Sequence, residues 1–200
     1  MKRRTAIALA VAALFVAGAA AAKPEVGKPA PAFTVTDSNG KSHSLSDFAG
    51  KTVVLEWHNP ECPFVKKHYS GNMQHQQKDA TGQEVVWLTI NSGKSGKQGH
   101  LDGKAANAYL VASNASPSAY LIDADSATGT AYAAKTTPHM FVIDGKGTLQ
   151  YMGAIDSVPS ADVGDIADAT QYVTQALTEL ESGKPVSVAS TQPYGCSVKY

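Results

Sequence analysis

The chain has 200 residues, with 17 basic and 17 acidic side chains and only two cysteines. Discounting residues 1–22 leaves 14 lysines against 17 carboxylates, a formal charge of −3 with no arginine. That balance argues against nucleic acid as a partner, because phosphate recognition relies on clustered Lys and Arg. The remaining length suits one domain with its own core, so the cysteines are not needed to compensate for a small one.

Residues 1–22 read as a signal peptide. Lys2, Arg3 and Arg4 form a positive start, Ala6 to Ala17 an apolar stretch, and Ala20 to Ala22 a small-residue cleavage site. The apolar stretch is shorter than the roughly 20 residues of a membrane span, so cleavage is expected over the alternative, an uncleaved anchor. The expectation is an exported, periplasmic protein with no membrane span after cleavage. Three segments result: residues 1–22, a domain over 23–182 and a C-terminal tail over 183–200.

A first strand is expected at Phe33 to Thr36, then turn residues Ser38, Asn39 and Gly40, a short strand, and a helical turn closed by Gly50. Val53 to Trp57 reads as a central strand buried on both faces. Pro63, in a first helical position, opens a helix expected to run to about Asp79. A strand follows from Glu84 to about Asn91. "GKSGKQGH" then reads as loop, without the ending a phosphate-binding loop requires. A helix over 104–113 and a strand at "AYLID" come next, then a short helix ending at Pro138. "HMFVIDGKGTLQYMG" is a hairpin turning at 144–147. Ile166, Ala169, Val173, Ala176, Leu177 and Leu180 share one face of a helix predicted over 165–180, which Gly183 stops. Strands alternating with helices and ending in a hairpin predict an α/β fold: three layers, α/β/α, on a mixed sheet, with an extended C-terminal tail.

This element order, with Cys62 opening a helix after a central strand and Thr137-Pro138 before a later strand, resembles the thioredoxin fold. More narrowly it resembles the redoxins, the alkyl-hydroperoxide-reductase/thiol-antioxidant-like proteins. "NPECPFV" at 59–65 and "YGCSVKY" at 194–200 are similar to the cysteine motifs of their peroxiredoxin-like 1 branch. The resemblance implies that Cys62 is the nucleophile and that Pro138 is a cis-proline beside its sulfur. It also implies that Glu56 is a buried acid able to relay a proton. With Pro63 and Thr137, Pro138 would border the substrate. The chain departs from true peroxiredoxins: Val65 stands where their peroxide-attacking thiol would, and no arginine follows Arg4. Lys cannot replace the guanidinium contact. Peroxide is therefore the less expected substrate.

The second thiol of a Cys-x-x-Cys site would also fall at Val65, which leaves Cys196 as the only intramolecular partner for Cys62. A helix of about 18 residues would carry the chain roughly 27 Å from the site. The tail from Gly183 could span up to about 43 Å in return, with its valines, proline and tyrosines available for docking. Two readings stay open. In one, Cys62 attacks a disulfide in a protein or small molecule (or a peroxide), Cys196 resolves the product as a Cys62–Cys196 disulfide, and an external thiol reductant resets the pair. In the other, the disulfide is a structural staple in a non-catalytic binding module. Helix-start placement lowers a cysteine pKa, and Lys66, Lys67 and protonated His58 or His68 would add positive potential. His58, Cys62, His68, His139 and Cys196 are metal-ligand types, but their spacing matches no metal motif. No metal or other cofactor is expected. Trp57 and Trp87 read as core.

Overall fold

The computed structural model describes residues 23–200; the signal-peptide reading falls on residues outside that range. The elements are β1 Thr34–Asp37, β2 Ser42–Ser44, β3 Val53–Trp57, α1 Pro63–His68, α2 Asn72–Gly82, β4 Val86–Asn91, α3 Gly103–Ser113, β5 Ala119–Ile122, α4 Ala127–Ala131, β6 Thr136–Thr137, β7 His139–Ile143, β8 Leu149–Gly153, α5 Tyr172–Glu181 and β9 Cys196–Ser197. Seven strands form one mixed sheet in the order β2-β1-β5-β4-β3-β7-β8. Strand β3 runs parallel to β4 and antiparallel to β7. Strands β6 and β9 pair antiparallel to each other, apart from the main sheet.

Strands β3, β4 and β7 are buried along their whole length, as near-continuous apolar runs at a sheet centre should be. One face of the sheet carries Val53, Leu55, Trp57, Leu88, Tyr132 and Phe141. The other carries Val54, Met73, Trp87, Met140, Tyr151 and Val173. Asp102 caps α3 by accepting the Ala105 N–H at 2.8 Å, so this helix begins one residue before the predicted start. Among the described residues no helix is long and apolar enough to cross a membrane.

Three expectations need correction. The helix predicted from Pro63 to Asp79 is two helices, because Gly71 takes φ +135° and turns the chain between α1 and α2. The helix predicted over 165–180 is a 3₁₀ turn at Val163–Ile166 and then a ten-residue α5. Between them the chain returns to the sheet side, where Ser157 N–H donates to Thr170 O and Tyr172 N–H to Ile155 O. At ten residues α5 spans about 15 Å, so the tail needs less reach than the sequence implies. Third, no helix extends to Pro138: α4 stops at Ala131 and Thr136–Thr137 is strand.

Candidate active site

Cys62 is the residue before α1, with extended backbone (ψ 124°), and Pro63 is the first helical residue. The turn leading into it is closed by Asn59, whose backbone carbonyl accepts the Cys62 N–H at 3.1 Å and whose side chain accepts the Glu61 N–H at 2.9 Å. Cys62 is completely buried. Its thiol donates to the carbonyl of Thr137 at 3.1 Å, and the Thr137-Pro138 bond is cis.

The tail brings the second sulfur. Strand β9 pairs with β6 so that Cys196 lies opposite Thr137, and the Cys196 N–H donates to Cys62 Sγ at 3.4 Å. Both cysteines are free thiols in this structure, Cys62 buried and Cys196 partly exposed. Burial works against a Cys62 thiolate, but the Cys196 thiol and N–H, the Val65 N–H and Thr137 outweigh it, and its pKa falls below the ordinary thiol value. Cys196 is pushed the other way, up to about 11, by burial and by its bond to Cys62 and that sulfur's charge. Two thiols that bond to each other titrate as a pair rather than singly.

Lys67, His58 and His68 do not supply the positive surroundings expected of them. The Nζ of Lys67, a buried residue, donates to Asp156 Oδ2 at 3.2 Å and to Val158 O at 3.0 Å. Burial holds His58 down to about 3 and His68 to about 4, so both are neutral at pH 7. Polar donors around the sulfur, not cations, favour the thiolate.

Glu56 is fully buried, and among the described residues no lysine pairs with it. Its carboxylate accepts from Tyr69 at 2.7 Å, Trp87 at 2.8 Å, Thr89 at 3.0 Å and Gln77 at 3.1 Å. Burial raises its pKa and these four donors partly offset the rise. None of the four is a sulfur. Trp87 is thus both core and hydrogen-bond donor, while Trp57 packs against Tyr132 and Phe141.

Of the five candidate metal ligands the two cysteines meet, while each histidine bonds elsewhere. His58 Nδ1 meets Tyr120 Oη at 2.7 Å, His68 bonds Tyr194 and Asn72, and His139 Nδ1 accepts the Lys135 N–H at 3.3 Å. Among the described residues no three His, Cys, Asp or Glu side chains converge on one point.

Sequence reasoning missed the seat of the tail. Tyr194, two residues before Cys196, donates its hydroxyl to Asp156 Oδ1 and packs its ring edge-on against Phe64 at 5.7 Å. Thr191 Oγ accepts the Ala154 N–H at 2.9 Å, and Tyr200 donates to Ala134 O at 2.8 Å. Asp156 and Thr191 carry no sequence signal, since their partners are remote in the chain. Only the closeness of Tyr194 to a cysteine marks it.

The AhpC/TSA family pattern matches residues 26–152, a span that holds Cys62 and Pro138 but not Cys196. The thiol-disulfide oxidoreductase ResA of Bacillus subtilis (strain 168) is 31% identical over 125 residues, 62% of this chain and 64% of that protein, so less than two thirds of the relative is spanned. A hypothetical protein from Sinorhizobium meliloti 1021 superposes with a TM-score of 0.77 at 24% identity, over 90% of this chain and 96% of that one. The thioredoxin domain of a thiol-disulfide oxidoreductase from Bacteroides vulgatus superposes with a TM-score of 0.53 at 16% identity, over 72% and 96%. The two structures speak for the fold alone; with the family pattern they establish that this chain belongs to the AhpC/TSA family and is a redoxin of thioredoxin fold.

Proposed function

We propose that the protein is an exported thiol-disulfide oxidoreductase whose working pair is Cys62 and Cys196. The observation that carries this reading is the 3.4 Å approach of the Cys196 N–H to Cys62 Sγ, which seats two free thiols side by side. The Cys62 thiolate attacks one sulfur of a substrate disulfide, and the other leaves as a thiolate. Cys62 then carries a mixed disulfide and no charge, so the part of the Cys196 pKa rise that came from Cys62 is gone, while the part due to burial remains. The Cys196 thiolate attacks Cys62 Sγ, the substrate's second sulfur leaves, and the Cys62–Cys196 disulfide remains. Two electrons from an external thiol reductant restore the dithiol.

Pro63 is exposed beside the pair and forms the substrate-facing rim; Thr137 and Pro138 are buried beneath the tail strand. Glu56 takes a supporting part: it fixes Tyr69 at the end of α1, and any proton it supplies travels by way of that hydroxyl. Without an arginine near Cys62, peroxide is a secondary substrate. Residues 1–22 act as the export signal and 183–200 as the arm carrying the resolving thiol.

One observation favours a second reading, a structural disulfide in a binding module: the tail is bonded on both sides of Cys196, at Thr191 and at Val198 N–H to Lys135 O (3.1 Å). The reduction potential separates the two. Mass-shift alkylation across a glutathione series should give one two-electron transition above about −250 mV for a working pair. A disulfide resisting reduction below about −300 mV would mark a staple and sink the oxidoreductase. In Cys196→Ser, a Cys62 mixed disulfide with substrate should accumulate.

A further inference from the structure

The buried polar cluster under the tail takes no part in the exchange steps above. Lys67 and His68 of α1 and Asp156 after β8 are all about fully buried. His68 Nδ1 accepts from Asn72 Nδ2 at 2.8 Å, which leaves the imidazole proton on Nε2, 3.1 Å from Tyr194 Oη. The Tyr194 hydroxyl therefore accepts from His68 and donates to Asp156, whose other oxygen holds the Lys67 ammonium. One tail side chain completes a network that otherwise consists of α1, the start of α2 and the segment after β8.

At the next residue the chain has no freedom. Gly195 takes φ +129°, and a Cβ there would stand 2.1 Å from Thr137 O. Cys196 then pairs with Thr137 and Ser197 with Thr136. The backbone edge beside Pro138, where an extended polypeptide could add as a strand, is already filled by the chain itself.

We propose that Tyr194 is a positioning residue and the specificity determinant of the pair. Its hydroxyl, held between Asp156 and His68, pins residues 194–197 across Cys62 and bars polypeptide disulfides from the Thr136–Thr137 edge. The proposal concerns which disulfides the pair admits, and so rests on the oxidoreductase reading. The tail's other bonds, at Thr191 and Tyr200, do not involve Tyr194. Loss of the Tyr194 bonds leaves residues 194–197 held only by the short β6–β9 pairing and Val198 N–H to Lys135 O, and so loosens their cover over Cys62.

The test is site-resolved alkylation of the full chain in its dithiol form with iodoacetamide, mapped by peptide mass. Wild-type Cys62 should react slowly for a thiol of lowered pKa, because it is covered. Tyr194→Phe keeps the ring on Phe64 and removes the hydroxyl, and Cys62 should react about tenfold faster or more, the scale of a hydrogen bond to a charged group. Gly195→Ala, which pushes the strand off Thr137 without touching the anchor, should do the same and carries the test if Tyr194→Phe does not fold. The rate on insulin relative to that on a small aromatic disulfide should rise about tenfold in both variants. An unchanged Cys62 rate in the folded variants, or wild-type Cys62 already reacting like an exposed thiol, would overturn the anchor. Faster alkylation with no disulfide turnover in any form would overturn the oxidoreductase and leave the anchor standing.

Discussion

Two carboxylates that the molecule buries, Glu56 and Asp156, are treated in opposite ways. Glu56, on the central strand β3, is met by four neutral donors, all from residues 69–89. Asp156, in the segment after β8, is met by the Lys67 ammonium and by Tyr194 from the tail. The first carboxylate joins neighbouring elements and has its pKa raised by burial despite its donors. The second is part of an ion pair and joins parts of the chain distant in sequence. A buried charge can be stabilised by either route, but only the ion pair leaves an uncompensated cation behind when it is broken.

The largest expected effect breaks that contrast on the Asp156 side. Asp156→Ala leaves Lys67 buried and unpaired and should cost about 3–5 kcal/mol in urea unfolding, whereas Lys67→Met with Asp156→Leu should recover most of that loss. Glu56→Ala leaves four buried donors unmet but no charge, and should cost about 2–4 kcal/mol at pH 7. Equal costs for the two alanine variants would erase the distinction.

Acid sharpens the comparison through the histidines. Burial pushes His58, on the Glu56 face of β3, down to about 3, while His68 reaches only about 4 because Asp156 raises it against burial. Both protonate near 6.5 in the unfolded chain, which therefore binds more protons between pH 6.5 and about 4. Stability is full above that window and falls as the pH drops, by up to about 1.4 kcal/mol per unit for each histidine. Replacing His58 by Gln should make the variant about 2 kcal/mol less acid-sensitive between pH 7 and pH 5, measured as the shift in urea midpoint. An identical pH slope in the variant would mean that His58 is not held neutral. The smallest effect is expected from Lys66, which is exposed: Lys66→Ala should change stability by less than about 0.5 kcal/mol and leave the Cys62 pKa, read from the thiolate absorbance, where it was.

Much of the Cys62 side of the site was legible in the residues. Val53 to Trp57 reads as strand from its apolar run, Pro63 marks the helix start, and the hairpin turn lies where Asp144-Gly145-Lys146-Gly147 places it. These signals are local, carried by propensity and by turn chemistry within a few residues. The break at Gly71 was less legible, because an isolated glycine inside a helical pattern is tolerated at a modest cost and does not by itself mark an end. The helix predicted over 165–180 failed for a different reason: Ile166 and Ala169 fit its apolar stripe, but backbone bonds of Ser157 to Thr170 and of Tyr172 to Ile155 set its real start.

By itself, the sequence determined the alternation of strands and helices, the position of Cys62 before a helix and the presence of only one other thiol. Only the tertiary structure decided that Cys196 lies on a strand paired with Thr136–Thr137, that Lys67 faces Asp156 rather than the sulfur, and that the nearby histidines stay neutral. The physical reason is the range of the forces involved. Backbone propensity acts between near neighbours, while burial and ion pairing depend on which distant segments pack together, and the tail strand over Cys62 is the product of those long-range contacts.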